Sequence, residues 1–315
     1  MARVLVTRHL PDGGLAPLLA AGHEVVQRAD DTAFTHAELC AAVADADALV
    51  CLLTDQIDAG VLDAGGDRLK VVANVAVGYN NIDVAAAAAR GIAVCNTPGV
   101  LDETTADVAF LLMLAAARLA SEGERDLRSG AWDGWEITEY LGVDVHGATL
   151  GIVGMGRIGR AVARRAAGFG MSVIHHTRTD TGLPGWTADL DHLLARADVV
   201  SLHVPLTPET THLIDARRLA LMKPTAVLVN TARGPVVDEA ALAEALHAGT
   251  IFAAGLDVFE REPLIEERLL TAPRAVLLPH IGSASIATRT RMATLACEGA
   301  VAVLAGERPP NLVTP

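Results

Sequence analysis

The sequence predicts an α/β protein made of two doubly wound parallel-sheet domains. Two series of alternating strands and helices, and one glycine turn, carry that expectation. In the first hundred residues apolar runs recur at Arg3–Thr7, His23–Gln27, Ala48–Leu53, Lys70–Val75 and Ile92–Cys95, with helical patterns such as His36–Ala44 and Ile82–Arg90 between them. Strands that alternate with helices pair in parallel and take helices on both faces. A second series runs through Thr149–Val153, Ser172–Thr177, Val199–Val204, Ala226–Asn230, Phe252–Asp257 and Ala275–Pro279. Six such strands complete a doubly wound sheet of the dinucleotide-binding kind.

The glycine turn lies mid-chain. Strand Leu150–Val153 runs into Gly154-Met155-Gly156-Arg157-Ile158-Gly159, and a helical run, Arg157–Gly168, follows. In that strand–turn–helix setting the pattern points to a dinucleotide. Gly154 allows the tight turn, Gly156 admits a pyrophosphate close to the backbone, and Gly159 lets the helix pack on the strand. The N–H groups at the helix start then face the anion.

Asp102–Arg118 reads as a long apolar helix opened by Asp102-Glu103-Thr104-Thr105, acids and hydroxyls suited to a helix N-terminus. A last helix, Ala284–Ala305, follows the second sheet. Both are expected to serve as hinge helices, the second returning the chain to the first domain. The expected division is residues 1–100 plus 286–315 against 101–285.

The 315 residues fit about two domains. With 51% apolar and 3% aromatic residues, the core must be Ala, Val and Leu. The net charge of −13 argues against nucleic acid or an anionic membrane as a partner. No uninterrupted apolar run reaches the ~18 residues of a membrane span, and Met1-Ala-Arg-Val-Leu-Val leads straight into a strand. A cytoplasmic protein is expected. Cys40, Cys51, Cys95 and Cys297 lack metal-ligand spacing and are expected as buried free thiols, with no metal site.

The second strand of the second series ends His175-His176-Thr177-Arg178-Thr179-Asp180. An acid at its end ordinarily holds the ribose 2′-hydroxyl. Thr177 takes that place, and a hydroxyl–guanidinium–hydroxyl trio of Thr177, Arg178 and Thr179 suits a 2′-phosphate. NADP(H) is therefore the expected cofactor. NAD(H) stays open, with Asp180 on the ribose. His175 and His176 point to opposite strand faces, one buried and one exposed.

Arg233, Glu262 and His280 follow the late strands, where open parallel sheets bind ligands. Singly, they read as a surface ion pair, a solvated turn acid and a satisfied buried histidine. Behind a complete glycine fingerprint they read as one catalytic set.

The sequence resembles the D-isomer-specific 2-hydroxyacid dehydrogenases, and within them the glyoxylate/hydroxypyruvate reductases. Val75-Ala76-Val77-Gly78-Tyr79-Asn80-Asn81-Ile82-Asp83, Asn96-Thr97-Pro98-Gly99-Val100, the glycine turn, Asn230–Gly234, Gly255-Leu256-Asp257-Val258-Phe259 and Pro279–Ser285 carry the likeness. It implies a flavodoxin-like substrate domain and a Rossmann cofactor domain. It further implies NADPH-dependent reduction of small 2-keto acids, glyoxylate to glycolate and hydroxypyruvate to D-glycerate. Glu262 would hydrogen-bond His280 and favour its protonated form, His280 would protonate the keto oxygen, and Arg233 would clamp the carboxylate. Val77 and Gly78 N–H groups would take further carboxylate oxygens. Leu53 and Trp135 would line the pocket, and Ser283 would bond a hydroxyl on the third carbon. Thr105, Val204, Pro205, Thr210, Thr231, Ala232, Asp257 and Gly282 would contact the cofactor, Asp257 at the nicotinamide carboxamide. Substrate would sit between the domains.

The segment 120–147 is expected to grip a second subunit and make a homodimer, Trp135 reaching the partner. The plainer reading is that Trp132 and Trp135 anchor a surface loop. Arg261, beside Glu262, stands where many relatives are acidic and is expected to lower the Glu262 pKa modestly. Two other readings compete: an NAD-linked phosphoglycerate-type dehydrogenase, and a dinucleotide-sensing scaffold like the C-terminal-binding co-repressors. The missing acid at Thr177 opposes the first, and the complete Arg–Glu–His set opposes the second.

Overall fold

The computed structural model describes residues 1–313. The chain forms two compact units: Met1–Leu101 with the chain from Ala284 onward, and Asp102–Ser283.

The first unit opens with β1 (Arg3–Val6), α1 (Ala16–Ala20), β2 (Glu24–Gln27), α2 (His36–Val43), β3 (Ala48–Cys51), α3 (Ala59–Gly65), β4 (Val71–Asn74), α4 (Val84–Ala89) and β5 (Ala93–Cys95). Every residue of β3 and β4 is buried, as expected of strands covered on both faces. Side chains cap the helix starts: Thr35 and Glu38 form a capping box on α2, and Asp58 and Asp83 accept from the first turns of α3 and α4.

The second unit begins with α5 (Asp102–Ala117) and α6 (Ala120–Ser129). It continues through β6 (Thr149–Val153), α7 (Arg157–Ala166), β7 (Ser172–His176), β8 (Trp186–Thr187), α8 (Leu190–Arg196), β9 (Val199–Leu202), α9 (Ala216–Leu219) and β10 (Val227–Asn230). Its last elements are α10 (Glu239–Ala248), β11 (Ala253–Leu256), α11 (Glu267–Leu270) and β12 (Ala275–Leu277). The sheet has the order β12-β11-β10-β9-β6-β7-β8, all parallel. It is the 3-2-1-4-5-6 order of a dinucleotide-binding sheet with one strand added at the β12 edge. Two Ala-, Val- and Leu-rich cores cover its faces, one built on α8 and α10 and the other on α5 and α7.

The chain then returns to the first unit. α12 (Ile286–Leu304) is capped by Ser285 and packs on α1, β3, β4 and β5, and β13 (Leu312–Val313) pairs antiparallel with β5. The first sheet thus runs β13-β5-β4-β3-β1-β2. Without β13 this is the 2-1-3-4-5 order of flavodoxin-like sheets.

Two strand counts need correction. Among the described residues the first sheet has six strands where five were expected, and the second has seven where six were expected. The additions, β13 and β8, are two residues each and half-buried, too short to show a period of two. The segment 120–147 begins with the polar helix α6.

Candidate active site

Among the described residues, seven helices begin under a side-chain cap from their own N-cap residue: α2, α3, α4, α8, α9, α10 and α12. α7 does not. Its N-cap is Gly156, with no side-chain bond, so the N–H groups of its first turn remain for an anion. The three glycines of the turn differ in what they serve. Gly154 has φ +99°, and a Cβ on it would lie 2.6 Å from His203 O. A Cβ on Gly159 would lie 2.2 Å from Gly154 O. A Cβ on Gly156 would meet nothing within 4 Å. Packing explains Gly154 and Gly159. Gly156 faces open space, the cradle a pyrophosphate needs.

Other residues assigned to the cofactor gather at the same strand ends. Met155 is buried, and Arg157 and Ile158 open α7. Val204 lies against Gly154: a Cβ there would approach Val204 Cγ1 to 3.0 Å. Thr231 Oγ1 is buried with no hydrogen-bond partner among the described residues, an orphan that a bound polar group would satisfy. Ala232 donates its N–H to Asn230 Oδ1 at 3.0 Å. Thr105, Asp257 and Gly282 meet, since a Cβ on Gly282 would lie 3.1 Å from Asp257 Oδ2 and 3.6 Å from Thr105 Oγ1. These residues fit a dinucleotide.

Three residues expected at the cofactor make hydrogen bonds within the chain instead. The Thr177 hydroxyl donates to Thr179 O at 2.7 Å and accepts from Trp186 Nε1 at 3.1 Å. It shapes the turn, and Arg178 and Thr179 after it are exposed. The Thr210 hydroxyl donates to Pro205 O at 2.7 Å and accepts the Thr207 N–H at 2.8 Å, bracing its loop. Asp180 likewise accepts the Gly182 N–H at 2.8 Å. His175 is fully buried and its Nε2 meets Thr181 Oγ1 at 2.8 Å, whereas His176 is partly exposed and bonds Thr187 O. They form no metal pair, and among the described residues no group of three or more His, Cys, Asp or Glu could hold a metal ion.

The reactive set forms one cluster. His280 Nδ1 lies 2.8 Å from Glu262 Oε2, their side chains 25% and 30% exposed, so the pair is reachable. With Nδ1 engaged, Nε2 is the atom left to hand on a proton. Burial pushes the Glu262 carboxyl up, but the His280 bond, the Phe259 N–H, and the charges of His280 and Arg233 bring it below its usual value. The cation that acts on Glu262 across the fold is thus Arg233. Burial of the Arg233 guanidinium lowers its own pKa against the opposing pull of Glu262. Asn230 shapes its loop by donating to Arg233 O at 2.9 Å.

His280 itself has φ +55°, uncommon for a residue other than glycine. The buried carboxylate of Asp257 accepts the Ile281 and Gly282 N–H groups, both at 2.7 Å, and so braces the backbone just after it. The Asp257 carboxyl is raised by burial against those two bonds. This bracing role is one the sequence does not show. Nor does it show why Gly234 follows Arg233: a Cβ there would lie 1.8 Å from Phe259 C, so only glycine lets the Arg233 and Glu262 loops pack backbone to backbone.

Ser283 is half-buried and ends the second unit. Trp135, in the same unit, is 75% exposed. Leu53, Val77 and Gly78 belong to the first unit. There Asn74 Nδ2 donates to Gly78 O at 2.9 Å and Asn96 Nδ2 to Val77 O at 2.8 Å. Their carbonyls are thus turned into the unit, which orients the loop that carries their N–H groups.

The family model for the NAD-binding domain of D-isomer-specific 2-hydroxyacid dehydrogenases matches residues 110–282. Glyoxylate reductases of Thermococcus onnurineus and Korarchaeum cryptofilum are 48% and 50% identical, each over 99% of this chain and 95% of their own. A protein structure from Thermus thermophilus superposes with a TM-score of 0.93 at 50% identity, over 99% of this chain and 100% of its own. The NADPH-dependent glyoxylate/hydroxypyruvate reductase of Sinorhizobium meliloti, in complex with NADP and malonate, superposes with a TM-score of 0.88 at 37% identity, over 99% of this chain and 97% of its own.

Proposed function

Because the chain belongs to the D-isomer-specific 2-hydroxyacid dehydrogenases and is an NAD(P)-dependent oxidoreductase that reduces glyoxylate-type 2-keto acids, we propose that it runs on NADPH with Arg233, Glu262 and His280 as its chemical residues. The observation that carries this reading is the His280–Glu262 pair at 2.8 Å beside Arg233.

The Gly156 cradle and the start of α7 would hold the pyrophosphate. Thr231, Thr105 and Asp257 would line the nicotinamide end, and Arg178 would pair with the 2′-phosphate. When bound, reduced nicotinamide supplies a hydride to the keto carbon. Arg233 binds the substrate carboxylate through its forked donors and draws charge toward the carbonyl. His280 Nε2 gives its proton to the keto oxygen as negative charge develops there. Glu262, ionised and bonded to Nδ1, steadies the imidazolium before transfer and keeps Nε2 aimed. Ser283 would favour hydroxypyruvate by bonding its 3-hydroxyl.

Arg178 at the strand end without an acid supports NADPH over NADH, as does the NADP bound by the Sinorhizobium meliloti relative. The exposed Trp132, Trp135, Ile137 and Leu141 support a homodimer formed through the segment 120–147. Initial rates of glyoxylate and hydroxypyruvate reduction with NADPH and NADH, measured side by side, test the reading. Faster turnover with NADPH is expected. Equal or faster turnover with NADH would remove the 2′-phosphate assignment, and no turnover with either would remove the reaction.

A further inference from the structure

Glu239 is a buried carboxylate that the chemistry above does not use. It is the first residue of α10 and only 5% exposed. Its Oε1 accepts the Glu260 N–H, and its Oε2 accepts the Glu266 N–H at 3.3 Å. In return the Glu239 N–H donates to Glu260 Oε1 at 2.9 Å, an atom that also lies 3.1 Å from His212 Nε2. One side chain thus grips both ends of the stretch 260–266. Within that stretch Leu264 N–H closes a turn onto Arg261 O at 2.8 Å, and Glu262 sits in the turn.

Helix capping does not account for Glu239. Asp238 already caps α10, accepting the Ala241 N–H at 2.9 Å. Filling space does not account for it either, because an apolar side chain would fill the same volume without the cost of desolvating a carboxylate. That cost is visible: burial raises the Glu239 carboxyl, and the Glu260 and Glu266 N–H bonds only partly offset it. A carboxylate is needed where two N–H donors from the two ends of one loop must be met by one residue.

We propose that Glu239 is a positioning residue that fixes Glu262 against His280, so that it governs turnover and leaves cofactor binding untouched; this rests on the acid–base reading above. Glu239 touches neither substrate nor cofactor. It acts through the loop, where a small misplacement of a reacting group is costly.

The test is a double-mutant cycle on the full chain. Glu239→Gln keeps the volume but presents an amide NH₂ to one of the two N–H donors. Rates with glyoxylate and NADPH, together with thermal melts, are measured for Glu239→Gln, Glu262→Gln and the double variant. The expected result is a loss of roughly tenfold or more in kcat for Glu239→Gln. The KM for NADPH should stay unchanged, and the loss should vanish once Glu262 is already Gln, because the two act as one unit. An unchanged kcat, a rise in the NADPH KM in step with the loss, or the same fold-loss in both backgrounds would overturn the proposal. Full activity of Glu262→Gln would instead overturn the acid–base reading beneath it, and the two failures differ. Should Glu239→Gln not fold, Glu239→Asp, which keeps both acceptors on a shorter stem, goes through the same cycle with the same outcomes.

Discussion

The two sheets make an instructive pair. Both are parallel or nearly so, both have fully buried central strands, and both turn their loops out at the strand ends. What stands at those ends differs. In the first unit the loops are held by amides: Asn81 Nδ2 donates to Leu52 O and Asp55 O, Asn74 to Gly78 O, and Asn96 to Val77 O. In the second unit the ends carry an imidazole bonded to a carboxylate and a guanidinium whose charge acts on that carboxylate. Shared architecture therefore says little about chemistry. The first sheet presents backbone groups in a fixed shape. The second places charge.

His280→Ala attacks that difference most directly. Loss of a positioned general acid costs about 10²- to 10⁴-fold in rate, so kcat should fall by that order while NADPH affinity, measured by fluorescence titration, holds. A variant that kept its rate would remove the second unit's distinction. Gly156→Ala and Gly159→Ala sharpen it further. The first adds a methyl to open space and should leave the melting temperature of the free protein intact, while weakening NADPH binding about tenfold, or 1.4 kcal/mol. The second drives a methyl into Gly154 O and should lower the melting temperature itself. Equal melting of both variants would show that Gly156 too is there for packing.

Asn81→Ala should have the smallest effect and should be felt in the first unit. It strips partners from two carbonyls and from Asn74 Nδ2. Buried groups left unmet cost roughly 1–3 kcal/mol, read as a lower melting temperature. NADPH affinity should not change. A loss of NADPH affinity instead would mean that the amide-held loops also serve the cofactor.

Much of the fold is legible in the chain itself. The runs at Ala48–Cys51, Val199–Leu202 and Val227–Asn230 read as strands because they are apolar throughout save for Ser201 and Asn230. The glycine turn reads as a dinucleotide site because a strand precedes it and a helix follows. β8 and β13 are not legible, since two residues carry no period. Side-chain roles that depend on distant partners are hidden as well. Thr177 reads as a phosphate ligand, but Trp186, from the next strand, occupies its hydroxyl. Arg261 reads as the charge beside Glu262 because it is adjacent in sequence. Arg233 acts on Glu262 through the fold, because Gly234 lets two loops touch. Glu239 carries no signal beyond an acid at the start of a helix.

The sign of the pH dependence follows from Glu262. Its carboxyl sits below its usual value, so the bond to His280 contributes stability above the usual carboxylate range and loses it as pH falls through the lowered value. Above that value the carboxylate is charged and accepts from His280 Nδ1. In the proposed reaction an ionised Glu262 holds the ring that gives the proton, so the rate should fall as pH drops and Glu262 takes up a proton. The most direct measurement is the pH profile of glyoxylate reduction at saturating NADPH for the native protein and for Glu262→Gln. An acid edge set by the Glu262 carboxyl is predicted in the native protein and is predicted to be missing in the variant, because Gln has no carboxyl to protonate. An edge at the same pH in both proteins would contradict the assignment of the proton to the His280–Glu262 pair.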